Sequence, residues 1–164
     1  MNAQGQITIN APASQVWRIL VEDYDKVGEW ATAVPESFTN PEVPEGEGRI
    51  CSTTLGNTTE VITQLDEQER NFTYSVEPEN PPFFLEGIDN TWTVEPKGNN
   101  QSVVSMNADV KLKTAVAPLI APLMKWRMHK GFGTILEELK YYAETGQVHP
   151  RKQEQLNSQK LQVA

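Results

Sequence analysis

The side chains best suited to chemistry lie on two predicted strands that follow one another in the chain. Tyr74 belongs to the first strand, and Glu86 and Asn90 share a face with Ile88 and Trp92 in the second. A tyrosine hydroxyl or an asparagine amide could orient a carbonyl or hydroxyl group of a ligand, and a buried carboxylate with a raised pKa could act as a general acid or base. Tyr74, Glu86 and Asn90 are therefore the candidate catalytic residues. Two prolines closely precede Glu86, which favours a position for this residue in water at the start of its strand.

A larger set of residues is expected on the inward faces of the strands and of the last helix, around a small-molecule pocket. Such pockets combine apolar walls with a few fixed polar groups. Methionine adapts to irregular ligand shapes because its side chain is unbranched and polarizable. The alternative is that these side chains fill a core without a cavity. The predicted ligand-binding residues are Thr63, Phe72, Tyr74, Ile88, Asn90, Trp92, Met106, Met124, Met128, Phe132 and Ile135.

Metal chemistry and nucleophilic catalysis have little support in the residue types. The chain has two histidines, His129 and His149, and one cysteine, Cys51, with no second histidine or cysteine at metal-ligand spacing. No Gly-x-Ser-x-Gly turn is present to expose a nucleophilic serine. Gly131 and Gly133 lie inside a predicted helix, so they do not form a phosphate-binding loop. We therefore expect no metal and no cofactor, and we expect Cys51 to behave as a small buried hydrophobic residue.

Composition and charge exclude several classes of partner. The 164 residues suit one domain with a core, and 14 basic against 22 acidic residues give a formal net charge of −8. This charge argues against nucleic acid and against anionic membrane surfaces, because both require clustered basic residues. No segment approaches the ~20 apolar residues of a membrane span, so no stable membrane insertion is expected. The lone Cys51 and the absence of a signal-peptide pattern predict a cytoplasmic protein.

Alternating apolar and polar residues predict a series of strands that are buried on one face and wet on the other. A first strand at 6–10 precedes two short helices, of which the first starts at Pro12 and the second ends near Trp30. A turn at Gly56 and Asn57 is expected to join two of the later strands as a hairpin. The predicted later strands are 37–39, 49–55, 59–65, 71–76, 84–94 and 103–112.

One long amphipathic helix follows, from about Thr114 to Gly146. Pro122 is expected to kink it or to split off a short leading helix. Its two interior glycines suggest a close approach of the sheet, room for a ligand or a tolerated kink. The apolar positions recur at steps of three and four residues and form one face: Ile120, Met124, Met128, Gly131, Ile135, Leu139 and Tyr142.

Two further features lie at the ends of this helix. Val116, Leu119, Leu123 and Trp126 form a second apolar stripe on its early part. We interpret this stripe as a contact with the short N-terminal helices or with the partner in a homodimer, and the alternative is a lipid-facing lid. The tail at 147–164 is mostly polar and rich in glutamine, which predicts disorder.

The segment from Ile9 to Trp17, followed by Asp23 and Trp30, resembles the opening of the START-like, helix-grip superfamily. That superfamily includes the polyketide cyclase/dehydrase and lipid-transport proteins and the birch-pollen-allergen type. The resemblance covers roughly residues 5–145 and extends to the end of the last helix. It continues through Gly46 to Arg49, Val61 to Leu65, Tyr74 and Trp92 to Val94.

The resemblance implies an α+β helix-grip fold over residues 1–146. In this fold a curved antiparallel sheet of about seven strands wraps around the long C-terminal helix, and a cavity between them holds an apolar ligand. Members of the superfamily bind lipids, sterols, polyketides, quinones or plant hormones, and some catalyse cyclisation or dehydration. Many relatives carry a glutamate where this chain has Thr63, so the resemblance does not carry acid–base chemistry to that position.

Three functions are compatible with the sequence. The first is a carrier or sensor of a small hydrophobic ligand such as a lipid, polyketide or quinone. The second is an enzyme of the polyketide cyclase or dehydratase type, without metal or cofactor, in which Tyr74, Asn90 and Glu86 position an enol or carbonyl. The third is a protein-interaction module that has a filled core and uses the stripe around Trp126.

Overall fold

The structure, a computed structural model, describes residues 1–53, 56–115 and 117–163. Four helices are present in these ranges: α1 (Ala13–Trp17), α2 (Val27–Trp30), α3 (Ala117–Thr145) and α4 (Pro150–Val163). A π-helical turn at Arg18–Glu22 and a 3₁₀ turn at Tyr24–Lys26 connect α1 to α2. The strands of the same ranges are β1 (Asn2–Ile9), β2 (Glu36–Thr39), β3 (Gly48–Thr53), β4 (Gly56–Asp66), β5 (Asn71–Pro78), β6 (Leu85–Pro96) and β7 (Ser102–Leu112).

The strands form one antiparallel sheet in the order β1-β7-β6-β5-β4-β3-β2. The curved sheet, the two short early helices and the long α3 confirm the predicted α+β helix-grip fold. The predicted hairpin is confirmed, since β3 pairs with β4, but Gly56 and Asn57 already belong to β4 rather than to the turn. The last two residues of the predicted 49–55 strand lie outside the described residues.

The sheet is built from strands whose side chains alternate between the core and water. In β5, Phe72, Tyr74 and Val76 are buried while the residues between them are partly exposed. Phe72 lies opposite Trp92 of β6, and Trp92 lies opposite Met106 of β7, so one apolar layer crosses three strands. Each such side chain contributes about 1.5–3 kcal/mol to stability when it leaves water.

The fully buried residues of α3 lie in its C-terminal half. Its buried apolar residues are Phe132, Leu136, Leu139 and Ala143, which meet β1. Lys140 Nζ donates a 2.7 Å hydrogen bond to the carbonyl of Thr8. A Cβ on Gly5 of β1 would lie 3.0 Å from Leu136 Cδ1, so the strand and the helix touch at this glycine.

The predicted face of the long helix is partly wrong. Gly131 is exposed, and a Cβ added at Gly131 or Gly133 would meet no atom within 4 Å, so the sheet does not approach either glycine. The close approach occurs instead at Gly5, which alternation alone does not single out. α3 also continues through Pro122 as one helix rather than splitting there. Its end at Gly146 is as predicted, since this residue has φ +69° and its N–H donates to the Tyr142 carbonyl.

The expectation of a disordered tail is contradicted, because residues 150–163 form α4. Polar composition predicted disorder, but one buried lysine holds this helix against the body of the protein. Lys152 Nζ donates to the carbonyl of Val34 at 3.0 Å and to Gln155 Oε1 at 2.8 Å. Gln155 Nε2 donates in turn to the carbonyl of Thr32 at 3.0 Å. The tail therefore docks through polar contacts that hydropathy patterns do not reveal.

This docking predicts a distinctive pH dependence. Burial lowers the pKa of Lys152 to about 8, and the carboxylates of Glu138 and Glu36 only partly oppose it. An unfolded lysine titrates near its ordinary pKa of 10.5. Between these values the unfolded chain binds more protons than the folded chain, so stability rises as the pH rises through this window. We expect the wild type to gain about 1 kcal/mol over a Lys152→Met variant between about pH 7 and 9, measured by urea unfolding.

A Lys160→Met variant is the matched control, since Lys160 is an exposed lysine of the same helix. It should follow the wild-type pH profile. Parallel profiles for the wild type and Lys152→Met would show that Lys152 is not held in a desolvated position.

Candidate ligand cavity

A cavity of about 160 Å³ lies between the early helical segments and the inner face of strands β3 to β6. Most of its walls are apolar, and α3 contributes Ile135. An apolar cavity of about 150 Å³ in a protein can hold benzene, whereas drug-sized ligands occupy about 300 Å³ or more. The lining residues are Ile19, Leu20, Val27, Trp30, Ala33, Val34, Arg49, Thr53, Glu60, Phe72, Tyr74, Trp92 and Ile135.

An ion pair between Arg49 and Glu60 forms part of the wall. The two residues are directly opposite each other on β3 and β4, and both side chains are buried. Arg49 Nε donates to Glu60 Oε2 at 2.7 Å, and Arg49 Nη2 lies 2.6 Å from the same oxygen. Arg49 Nη1 donates to the carbonyl of Tyr24 at 2.7 Å. The cavity thus contains a fixed positive and a fixed negative group in otherwise apolar surroundings.

Aromatic rings hold the guanidinium in place. The Arg49 Cζ atom lies 4.0 Å from the centre of the Tyr24 ring and 5.2 Å from that of Tyr74. Tyr24 and Tyr74 both contact Phe72, which also packs edge-on against Trp17 with centroids 5.7 Å apart. Cation–π attraction of this kind strengthens when the groups are desolvated. The charge in the cavity is therefore rigidly positioned.

The protonation states of this cluster follow from its burial. Burial acts to lower the pKa of Arg49, but Glu60 and the two tyrosines outweigh it and the net shift is upward, so the guanidinium stays charged. Burial, assisted by the Glu60 charge, raises the pKa of Tyr74 to about 12. The Tyr74 hydroxyl is therefore protonated at neutral pH, and it accepts a 3.4 Å hydrogen bond from Trp92 Nε1. Arg49 and Tyr74 are both hydrogen-bond donors at the cavity wall.

The structure brings four of the predicted ligand-binding residues to this cavity, namely Phe72, Tyr74, Trp92 and Ile135. The other predicted residues do not line it. Met106 and Phe132 are buried in the core, and four more, Ile88, Asn90, Met124 and Met128, are partly exposed. Of the two helical methionines, Met128 packs against the core without lining the cavity.

The prediction for Thr63 is wrong, because its side chain is exposed. A bulge between Ile62 and Gln64 leaves Thr63 without an opposite residue on β5, and its hydroxyl donates to the Thr73 carbonyl at 3.2 Å. A bulge reverses the alternation of a strand locally. The carboxylate on the inner face of β4 is supplied by Glu60 instead.

The candidate catalytic residues are also separated by the structure. Glu86 is exposed at the start of β6 and does not line the cavity, in keeping with the position in water that its prolines suggested. Asn90 lies opposite Tyr74 on the inner face, and its buried Oδ1 has no hydrogen-bond partner among the described residues. Of the three candidates, only Tyr74 reaches the cavity.

Arg49 and Glu60 were missed because charged residues on predicted strands are normally assigned to the wet face. A signal was nevertheless present: alternation through Thr58, Glu60 and Ile62 places Glu60 on the same face as an isoleucine, which the structure shows packed against the core. A charge on an inward face, paired with an opposite charge on the neighbouring strand, is typical of a buried ion pair.

The structure also shows the surroundings of the single cysteine and of His129. Cys51 is a free, fully buried thiol, and burial together with the Glu60 charge raises its pKa to about 12, as expected for an inert residue. His129 is exposed, with Nδ1 3.3 Å from the carbonyl oxygen of Gln4. Within the described ranges, no three histidine, cysteine or acidic residues gather as a possible metal site. No helix of these ranges is long and apolar enough to cross a bilayer.

Solved structures share this fold at low sequence identity. XoxI of Bacillus cereus superposes with a TM-score of 0.70 at 19% identity, over 90% of this chain and 99% of that one. A START superfamily protein of Mycobacterium smegmatis gives 0.71 at 11% identity, over 89% and 99% of the two chains. The di-domain ARO/CYC protein BexL of the BE-7585A biosynthetic pathway gives 0.68 at 17% identity, over 87% of this chain and 47% of that one.

Sequence comparison agrees with the fold. The curated protein sequences give no match to this chain. A family model described as polyketide cyclase / dehydrase and lipid transport matches residues 2–144, which include every strand and the whole lining of the cavity. The chain therefore belongs to the polyketide cyclase/dehydrase and lipid-transport family, within the START-like superfamily.

Proposed function

We propose that this protein binds a small, largely apolar ligand between its early helices and the sheet, as a carrier or sensor. The observation that carries the proposal is the cavity of about 160 Å³, which is mostly apolar and has Arg49 and Tyr74 as donors at its wall. Apolar walls select a hydrophobic ligand, and fixed donors select one that carries a carbonyl or another acceptor. The volume favours a ligand close to a single ring in size unless the walls move.

The lone Cys51 supports a cytoplasmic setting for this activity. We assign ligand binding to residues 1–146, because α4 contributes no lining residue to the cavity.

A second candidate is an enzyme of the polyketide cyclase type. It is favoured by one observation: Arg49 and the protonated Tyr74 could both donate to a ligand carbonyl and stabilise negative charge that develops on its oxygen. Turnover of a β-keto thioester small enough for the cavity by the wild type, lost in Tyr74→Phe, would support the enzyme over the carrier.

The carrier proposal is tested by filling the cavity. Ile135→Phe places a larger side chain on the α3 wall and should abolish binding of benzene and phenol, measured by calorimetry with the purified protein. Overpacking costs about 1–3 kcal/mol, so thermal unfolding should accompany the titration. Native mass spectrometry of the wild type should show a co-purifying small molecule that Ile135→Phe lacks.

Leu161→Phe is the matched control, because Leu161 is exposed on α4, and it should bind like the wild type. The proposal fails if the wild type carries no small molecule and binds neither probe, or if Ile135→Phe is folded and binds as the wild type does.

A further inference from the structure

The N-terminal half of α3 presents an apolar stripe to solvent. Leu119, Leu123 and Trp126 recur at steps of four and three residues, and they are 86%, 61% and 64% exposed. Phe83, 74% exposed, precedes Phe84, whose carbonyl accepts a hydrogen bond from Lys113 N close to the start of the helix. These three side chains are exposed rather than packed in the core, and the fourth predicted member of the stripe, Val116, lies outside the described residues. Monomeric proteins rarely leave such an apolar patch bare without a partner.

The part of the chain that contains this stripe is locally basic, although the whole protein is acidic. Between Val110 and Leu136 there is no aspartate or glutamate, although the chain has 22 acidic residues. Lys111 pairs with Asp89 at 2.7 Å. Four other cations of the segment are exposed and form no ion pair with any described residue: Lys113, Lys125, Arg127 and Lys130. Arg127 and Lys130 follow Leu123 and Trp126 by four residues and therefore border the apolar stripe, while Lys113 and Lys125 add positive charge to the same part of the chain.

We propose that this stripe, with its four cations, docks the protein on an anionic lipid surface. A helix with leucine and tryptophan on one side and basic residues beside them lies in the plane of a membrane interface, with its apolar face among the acyl chains. Each lysine or arginine adds attraction to anionic headgroups. Acidic residues elsewhere are screened beyond about 8 Å at physiological salt.

Charge complementarity favours an anionic lipid surface over a second copy of the chain as the partner of the stripe. In a symmetric dimer built on the stripe, Arg127 and Lys130 of one copy would approach those of the other, and like charges oppose such contacts. Glu79 and Glu86 flank Phe83 in sequence and would not attract anionic headgroups. We therefore assign Phe83 only an apolar contact with the acyl chains. The net charge of −8, which argued against anionic membranes, is a sum over the whole chain and does not describe this local cluster of cations. The proposal is independent of ligand binding in the cavity.

Trp126 offers a direct readout. The other tryptophans, Trp17, Trp30 and Trp92, are buried, so a change of tryptophan environment on vesicles reports on Trp126. With vesicles of phosphatidylcholine containing about 30% phosphatidylserine, we expect a blue shift of the emission that pure phosphatidylcholine and high salt both prevent. Trp126→Ala should remove this shift.

Charge variants show how much the cations contribute to the affinity for vesicles, which co-sedimentation measures. The triple variant Lys125→Gln/Arg127→Gln/Lys130→Gln should weaken binding on the order of a hundred-fold, about five-fold for each cation. Its matched control is Arg18→Gln/Lys97→Gln/Lys160→Gln, which changes the net charge equally at exposed sites elsewhere and should bind like the wild type. The triple variant should still bind benzene, and Ile135→Phe should still bind vesicles.

Several outcomes would overturn the proposal. They are absence of vesicle binding by the wild type, equal loss in the two triple variants, and binding to poly-glutamate as tight as to vesicles, which would indicate an acidic protein partner. A concentration-dependent dimer in light scattering that Trp126→Ala abolishes would assign the stripe to a second copy of the chain.

Discussion

Replacing Arg49 with methionine is expected to lower the free energy of unfolding by about 3–5 kcal/mol. The substitution removes the guanidinium that neutralises Glu60 and leaves the carboxylate buried among apolar side chains. It also removes the donor to the Tyr24 carbonyl and the cation that packs on the Tyr24 ring. Urea unfolding of the wild type and Arg49→Met measures the difference as a shift of the midpoint at constant slope.

Two further variants separate the ion pair from general packing. In Arg49→Met/Glu60→Leu both charges are absent, and most of the lost stability should return, because apolar replacements of a buried pair are often neutral. Lys111→Met breaks the more exposed pair with Asp89 and should cost under about 1 kcal/mol. A similar small cost for Arg49→Met would show that water reaches Glu60 in the folded protein.

Shortening Phe72 to alanine should destabilise the protein by about 3–5 kcal/mol and enlarge the cavity. Phe72 is fully buried, contacts the rings of Trp17, Tyr24 and Tyr74, and forms part of the cavity wall. Removing the ring forfeits its burial and its edge-to-face contacts and leaves a void that rigid neighbours fill only in part. Urea unfolding should show the loss, and calorimetry should show binding of aromatic ligands larger than benzene.

Phe38→Ala is the matched control for this prediction. Phe38 is 57% exposed on β2, so its loss should change stability by no more than about 0.5 kcal/mol. An equally small effect of Phe72→Ala would mean that the surrounding side chains collapse into the space, and ligand size preference would then stay unchanged.

The fold was predictable because hydrophobic alternation is a local property. The strand around Phe72 and Tyr74 and the helix ending at Gly146 follow from periods of two and 3.6 residues that neighbouring residues impose on each other. The family resemblance added the order of the strands and the wrapping of the sheet around α3. These features need no knowledge of which distant residues meet.

The candidate site was predictable only in part, since a cavity wall is defined by contacts between distant segments. Phe72, Tyr74, Trp92 and Ile135 were identified from faces of single elements. Thr63 was placed on the inner face, whereas the alternation of Thr58, Glu60 and Ile62 puts it on the opposite face, and a bulge that depends on pairing with β5 leaves it without an opposite residue.

The sequence by itself determined the types of the elements from β1 to α3, the acidic charge and the basic, acid-free segment at 111–136, because each is a property of composition or of short-range periodicity. The tertiary structure alone decided three things: the pairing of Arg49 with Glu60, the docking of Lys152 on the loop before β2, and the exposure of Leu119, Leu123 and Trp126. Each depends on the register of strands or the position of a helix end, and these are determined by packing of the whole chain rather than by neighbouring residues.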